Sequence, residues 1–309
     1  MAPDAVLASA FSPPLSSRIP SEGYSPAGRA APSAPAAFQD SETIVQTTNS
    51  ALLVRLTAPF GSAHGRSLVG TEILRRERDA SPFDGIPAVV RADQSVRPEP
   101  DNSYLPVLHQ DVDERAAAFR ALRRRLAEQG DPAVVLVTSA QEGEGKSTCA
   151  ANLALAMAES GRQRVLLVEA HLRQPKLAEI FGFRPVSCLS VQLTEHREHR
   201  DAPWQTTEIQ PTGLQVLAVS PDARRDQNLH GPSFSMALAQ WRLAFDHVVV
   251  DGPAILSSCD ASIIQEAVDA VVIVARSGAT RNRFLRRALE QISANAVAGI
   301  VLMDSRETS

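Results

Sequence analysis

The sequence predicts an α/β protein: a doubly wound, mostly parallel sheet with a disordered N-terminal region. Three observations predict it. Short apolar runs of strand length recur from about residue 133 onward, helix-period segments lie between several of them, and the first 40 residues contain neither. Continuous Val, Leu and Ile runs alternating with amphipathic helices imply a sheet covered on both faces. The chain has 309 residues, 31 basic and 35 acidic, with a formal net charge of -4. That balance excludes a strongly basic nucleic-acid binder, because no overall positive field gathers phosphates. No apolar run approaches the 18 residues of a membrane span; the longest, around Ala133–Val137 and Ala267–Ala275, are strand-sized. The N-terminus shows no basic stretch followed by an apolar core, so a secretory signal is not expected. Cys149, Cys188 and Cys259 form no CxxC pair, which argues for a reducing compartment and against a disulfide framework or zinc site.

The elements follow in order. Ala, Ser and Pro make up 24 of the first 40 residues, too little apolar surface to offset ordering entropy. Residues 41–105 read as a linker with one or two weak elements: Ile44–Leu56 has apolar content, Arg66–Arg78 suits a short helix, and Pro82, Pro87, Pro98 and Pro100 interrupt it. The expected organisation is therefore a low-complexity region and linker over 1–105 and one domain over 106–309. Asp111 or Asp113 can cap a helix carrying Phe119, Leu122 and Leu126, ended by Gly130 and Pro132. Strands are expected at Ala133–Thr138, Arg164–Glu169, Leu214–Val219, His247–Val250, Ala270–Ala275 and Ala298–Met303. Ala150, Leu153, Ala154 and Met157 share one helix face closed by Gly161; Leu285, Ala288, Leu289 and Ile292 share another.

The first strand runs into Ser139-Ala140-Gln141-Glu142-Gly143-Glu144-Gly145-Lys146-Ser147-Thr148, and a helix follows. Small residues there let backbone N–H groups close around phosphate oxygens, and a helix N-terminus favours an anion. Gly143, Glu144, Gly145, Lys146, Ser147 and Thr148 are the candidate phosphate cradle, with Lys146 reaching the terminal phosphates and Ser147 holding Mg²⁺. Only two of the 31 basic residues are lysines, Lys146 and Lys176, so a lysine at that point is informative. The alternative is a chance Gly-Lys-Ser turn. The GxxxxGK[ST] pattern is otherwise met, with Ala140 at its first glycine. At the end of the run His247–Val250, Asp251-Gly252-Pro253 places a carboxylate at the carboxyl end of a buried strand, where it can ligate Mg²⁺; the alternative is an ordinary turn. Glu169 and His171 end another strand, two residues apart.

Phe119-Arg120-Ala121-Leu122-Arg123, the loop Thr138–Thr148, Glu169–Pro175 running on to Phe181-Gly182, and Phe245–Pro253 together resemble the bacterial tyrosine kinases (BY-kinases) of capsule and exopolysaccharide synthesis, over about residues 110–304. The resemblance implies a P-loop ATPase fold related to MinD/ParA proteins, with ATP and Mg²⁺ as cofactors. It implies phosphate-binding roles for Gly145, Lys146, Ser147 and Thr148, metal binding by Ser147, Asp251 and Glu169, and catalysis by Lys146, Asp251, Glu169 and His171. It further implies a membrane polysaccharide chain-length or export protein as partner, a homo-oligomer, and a cytoplasmic place at the inner face of the membrane.

Several residues depart from the family pattern. Its Asp-x-Asp-x-Arg-x-Pro segment reads Glu169-Ala170-His171-Leu172-Arg173-Gln174-Pro175 here. A neutral imidazole at 171 can accept a proton but is a poor Mg²⁺ ligand; the alternative is a crevice residue without a catalytic task. The only tyrosines are Tyr24 and Tyr104, so self-transfer is expected there rather than on a C-terminal cluster. Met303 and Asp304 stand where many relatives have Asn, so adenine binding rests on likeness alone. Ala117 replaces a glutamate used in subunit packing, leaving Arg120, Arg123, Arg124 and Arg125 for a solvated face or an anionic partner. Three readings follow: an ATP-dependent tyrosine kinase, a catalytically weak nucleotide-dependent regulator of a membrane polysaccharide partner, and a MinD/ParA-like positioning ATPase, against which Gln141 counts because a signature lysine is missing. Three signals are set aside. His196 and His199 read as parts of a charged loop without a third metal ligand, and Cys149 as a small buried filler although a helix N-terminus can activate a thiol. Arg281, Arg283, Arg286 and Arg287 read as a solvated helix face.

Overall fold

A computed structural model describes residues 43–45, 52–56, 90–99, 101–109, 113–222, 229 and 231–304. The expected disordered tail, Tyr24 and the expected helix at Arg66–Arg78 lie outside the described residues. The strands are β1 (Thr43–Val45), β2 (Leu52–Leu56), β3 (Val90–Val96), β4 (Val134–Ser139), β5 (Val165–Glu169), β6 (Trp204–Ile209), β7 (Leu214–Leu217), β8 (His247–Asp251), β9 (Ala270–Arg276) and β10 (Val297–Met303). The helices are α1 (Glu114–Glu128), α2 (Lys146–Ala158), α3 (Leu177–Phe181), α4 (Leu189–Glu198), α5 (Gly231–Ala244), α6 (Asp260–Gln265) and α7 (Asn282–Leu289).

The strands form one sheet in the order β1-β2-β10-β9-β4-β8-β5-β7-β6-β3. Its centre, β10 through β7, is wholly parallel. β7 pairs antiparallel with β6, and β2 antiparallel with β10. All six apolar runs expected to be strands are strands. They can be fully apolar because both faces are covered. Along β4, Val135 and Val137 pack into one core with Phe119 and Leu122 of α1 and Leu153 of α2; Val134 and Leu136 pack into the other with Phe234 and Trp241 of α5 and Ile264 of α6. That split follows from the two-residue repeat of a strand.

Two elements position the site. Asp113 caps α1 by accepting a hydrogen bond from the Arg115 amide at 2.8 Å, so of the two candidate caps Asp113 is used. Helix α2 is buried from Cys149 to Ala158, wider than the single face expected, because α1 covers the side that the sheet does not. Its N-terminus therefore points at a fixed place above the carboxyl ends of β4 and β8.

The sheet begins upstream of the 105/106 boundary that composition suggests. β3 pairs parallel with β6, and β1 and β2 extend the opposite edge. Val90–Val96 is the edge strand and Trp204–Ile209 lies next to it; both mix polar residues among apolar ones and so lack the apolar run that marks the centre. No helix among the described residues is long and apolar enough to cross a membrane.

Candidate functional site

β4 lies between β8 and β9, where the strand order reverses, and the loop after it opens into α2. Crevices at such points are where open α/β sheets hold ligands. The loop turns on Gly143 and Gly145, with φ of +79° and +97°. A Cβ at Gly145 would sit 3.3 Å from Met303 Cγ, so this glycine serves both a left-handed backbone and a close approach to β10. Gly145 caps α2 and no side chain satisfies the helix's first amides. Those N–H groups and the helix dipole are available to an anion.

Lys146 is the first residue of α2 and is buried. Its Nζ donates to Glu142 Oε2 at 2.6 Å. Glu142 Oε1 faces His171 Nε2 at 3.5 Å and accepts a hydrogen bond from the Ala254 amide at 3.3 Å. Burial pushes the Glu142 carboxyl up, but the Lys146 hydrogen bond and charge, with His171 and the Ala254 amide, outweigh it and hold the group below its ordinary value. Burial pulls His171 down; the Glu142 charge opposes this, while Lys146 and Arg173 reinforce it, so the site favours the uncharged imidazole. Glu142 was not assigned a role from sequence. Its mark in the sequence is a carboxylate four residues before Lys146, in a loop that also carries Gln141 and Glu144.

Asp251 ends β8 beside β4 and is fully buried. Neither carboxylate oxygen has a well-formed hydrogen bond, although the Ser147 hydroxyl is close enough to favour the charged form. Burial pushes its pKa to about 7, with Ser147 and Lys146 opposing. A sealed carboxylate without partners beside a serine hydroxyl offers two hard oxygen donors, which suits Mg²⁺ next to a phosphate. The residues present thus fit a magnesium nucleotide.

Glu169 lies opposite Asp251 in the β5–β8 register and is also fully buried. Its carboxylate accepts from three backbone amides: Lys176 and, at 2.8 Å, Leu177 on one oxygen, and Val219 at 2.7 Å on the other. Burial and the Asp251 charge push its pKa to about 8 against those three hydrogen bonds. The expected metal contact of Glu169 thus competes with this bonding, which ties β5 to α3 and to the chain after β7. Glu144 is similarly turned inward, accepting from the Gln141 amide at 2.8 Å and the Thr280 hydroxyl at 2.5 Å, so its side chain braces the loop. The Thr148 carbonyl accepts from Asn152 at 2.8 Å, and Thr148 lines the cleft.

The cleft has a volume of about 590 Å³. The phosphate loop and His171 form its floor, and Tyr104, Lys176, Arg276 and Asp304 are on its walls. Tyr104 is 57% exposed. Lys146, Ser147, His171 and the loop glycines are brought together there. Of the basic residues of α1, Arg115 lines the cleft, whereas Arg120 pairs with Glu159 at 2.5 Å, Arg123 donates to the Ala156 carbonyl, and Arg124 pairs with Glu128. Arg281, Arg283, Arg286 and Arg287 are exposed on and beside α7. His196 is a correction to the charged-loop expectation. It is a buried α4 residue stacked 3.7 Å from Trp204, with each ring nitrogen 2.8 Å from a backbone carbonyl. Cys149 is buried, and burial raises its thiol pKa well above the usual range, as a filler requires.

The sequence model of the ParA family, described as NUBPL iron-transfer P-loop NTPase, matches residues 132–302. Among curated relatives, the tyrosine-protein kinase YwqD of Bacillus subtilis (strain 168) is 34% identical over 160 residues, 52% of this chain and 66% of that protein. The succinoglycan biosynthesis transport protein ExoP of Rhizobium meliloti (strain 1021) is 31% identical over 183 residues, 55% of this chain but 22% of that protein. Among solved structures, the kinase domain of VpsO aligns with a TM-score of 0.54 at 26% identity, covering 62% of this chain and 97% of that one. The matched stretch contains the loop, Asp251 and the parallel centre of the sheet, and it exceeds half the chain; the protein belongs to the ParA family of P-loop NTPases and is similar to bacterial tyrosine kinases.

Proposed function

We propose that this protein binds ATP with Mg²⁺ and transfers the γ-phosphate to a tyrosine, on itself or a partner, in exopolysaccharide or capsule synthesis. The observation that carries this reading is the juxtaposition of Lys146, Ser147 and the Asp251 carboxylate at the N-terminus of α2, which has no side-chain cap. The names of YwqD, ExoP and the VpsO kinase domain support the kinase and polysaccharide parts of it. A membrane polysaccharide chain-length or export protein is the partner this reading calls for.

In this mechanism Lys146 and the loop amides would hold the phosphates, and Ser147 and Asp251 would hold the metal. Bound Mg²⁺ would neutralise charge on the phosphates. The phenolic oxygen of the acceptor forms a bond to the γ-phosphorus, the bond from that phosphorus to the ADP oxygen breaks, and ADP leaves. His171, neutral and beside the loop, takes the phenolic proton. Glu169 braces the segment that presents His171. Catalysis of this kind is chiefly positioning and charge neutralisation.

A second reading, a nucleotide-dependent regulator with weak turnover, is favoured by one observation: Lys146 is held by Glu142 rather than left to phosphate, next to an imidazole. γ-Labelled ATP separates the two. The kinase reading expects label on protein tyrosine, abolished by Lys146→Ala and reduced about 10²–10⁴-fold by His171→Ala, the range typical of a lost general base. Nucleotide binding without label or released phosphate supports the regulator and contradicts the kinase.

A further inference from the structure

The ammonium of Lys146, at the start of α2, is paired with a carboxylate of the protein itself. Glu142 Oε2 lies 2.6 Å from Lys146 Nζ, on an ammonium that is only 5% exposed. A buried lysine has few partners to choose from, so a carboxylate and a phosphate cannot both sit at hydrogen-bond distance along the same approach. Glu142 also has a second place to go. Its other oxygen already faces His171 Nε2 at 3.5 Å and the Ala254 amide at 3.3 Å. The side chain is 30% exposed in the loop, so it can turn without disturbing the core.

We propose that Glu142 is an internal stand-in for a nucleotide phosphate: it holds Lys146 until phosphate displaces it towards His171 and Ala254, and so sets how tightly the site binds nucleotide. This rests on the reading of the loop as a nucleotide-phosphate site. The displaced carboxylate keeps two partners, so the exchange costs less than burying a free charge. Phosphate has to compete with a charge-assisted hydrogen bond before it gains its own. The residue thereby lowers affinity for any ligand whose phosphate needs Lys146, and sets the threshold concentration at which the site fills.

The test measures binding of Mg·ADP and of a magnesium complex of a non-hydrolysable ATP analogue to wild type, Glu142→Gln and Glu142→Ala by calorimetry. Both variants are expected to bind about tenfold more tightly, which corresponds to about 1.4 kcal/mol. Equal or weaker binding by the variants overturns the proposal and leaves the nucleotide reading standing. No binding by any of the three proteins overturns both. The chain has only two lysines, so a second readout is unambiguous. Without nucleotide, acylation of Lys146 by an amine reagent, scored by mass spectrometry against Lys176, is expected to rise several-fold in both variants. Tighter binding without that rise means that Glu142 acts only as a nearby negative charge, and overturns the exchange.

Discussion

Asp251 and Glu169 are register partners across β8 and β5, and each carboxyl is pushed above its ordinary range, to about 7 and about 8, by burial. The folded protein therefore holds these protons more tightly than the unfolded chain, whose carboxyls titrate near 4. The sign follows from linkage: this stability is fully present below about pH 4 and is lost as pH rises through 7 and 8. The melting temperature of the nucleotide-free protein should fall between pH 5 and pH 8. Asp251→Asn should flatten that slope and raise stability at pH 8, while Mg²⁺-dependent nucleotide binding is lost. A slope unchanged by the substitution contradicts the assignment. Of this site, Lys146, Ser147 and Asp251 were legible in sequence because each sits in a fixed place relative to a strand end. The state of Glu169 was not, since its three amide donors come from two segments, one of them 50 residues downstream. Nor was Glu142, whose partners His171 and Ala254 converge on it only when β4, β5 and β8 lie side by side.

Among elements, α2 carries the loop and also anchors the chain that precedes α1. Asn152 is fully buried; its amide nitrogen donates to the carbonyls of Tyr104 and Thr148 at 2.7 and 2.8 Å, and its oxygen accepts from the Val107 amide at 3.3 Å. Truncation would leave buried backbone groups without partners, at about 1–3 kcal/mol for such a group. Asn152→Ala should lower unfolding free energy by that order and increase hydrogen exchange at Val107, measured on the folded protein; unchanged exchange there would contradict the anchoring role. This contact is invisible to periodicity, which places position 152 on a helix but not against residues 45 positions away. Helix α1 was legible through Phe119, Leu122 and Leu126, all buried, and through Asp113. Helices α4 and α5 bury sets at i, i+3, i+4 and i+7, but two of the four in α4 are polar, Gln192 and His196, and the exposed Met236 and Leu243 blur the contrast between the faces of α5.

For the whole molecule, the parallel centre of the sheet could be read because a strand buried on both faces must be apolar along its length. The edges could not. β3 and β6 carry polar residues among their apolar ones, and their pairing joins segments that the prolines at 98 and 100 divide from the domain by composition. The same architecture fixes the relation between the loop, Asp251 and His171 that the proposed activity needs. The most direct measurement is an equilibrium titration of the full chain with a non-hydrolysable ATP analogue, with and without Mg²⁺, on wild type and Lys146→Ala. The account predicts one-to-one, saturable, Mg²⁺-strengthened binding by wild type, weakened at least about 100-fold by loss of the lysine's charge-assisted hydrogen bonds to phosphate. Absence of binding by wild type, or undiminished affinity in Lys146→Ala, would contradict it.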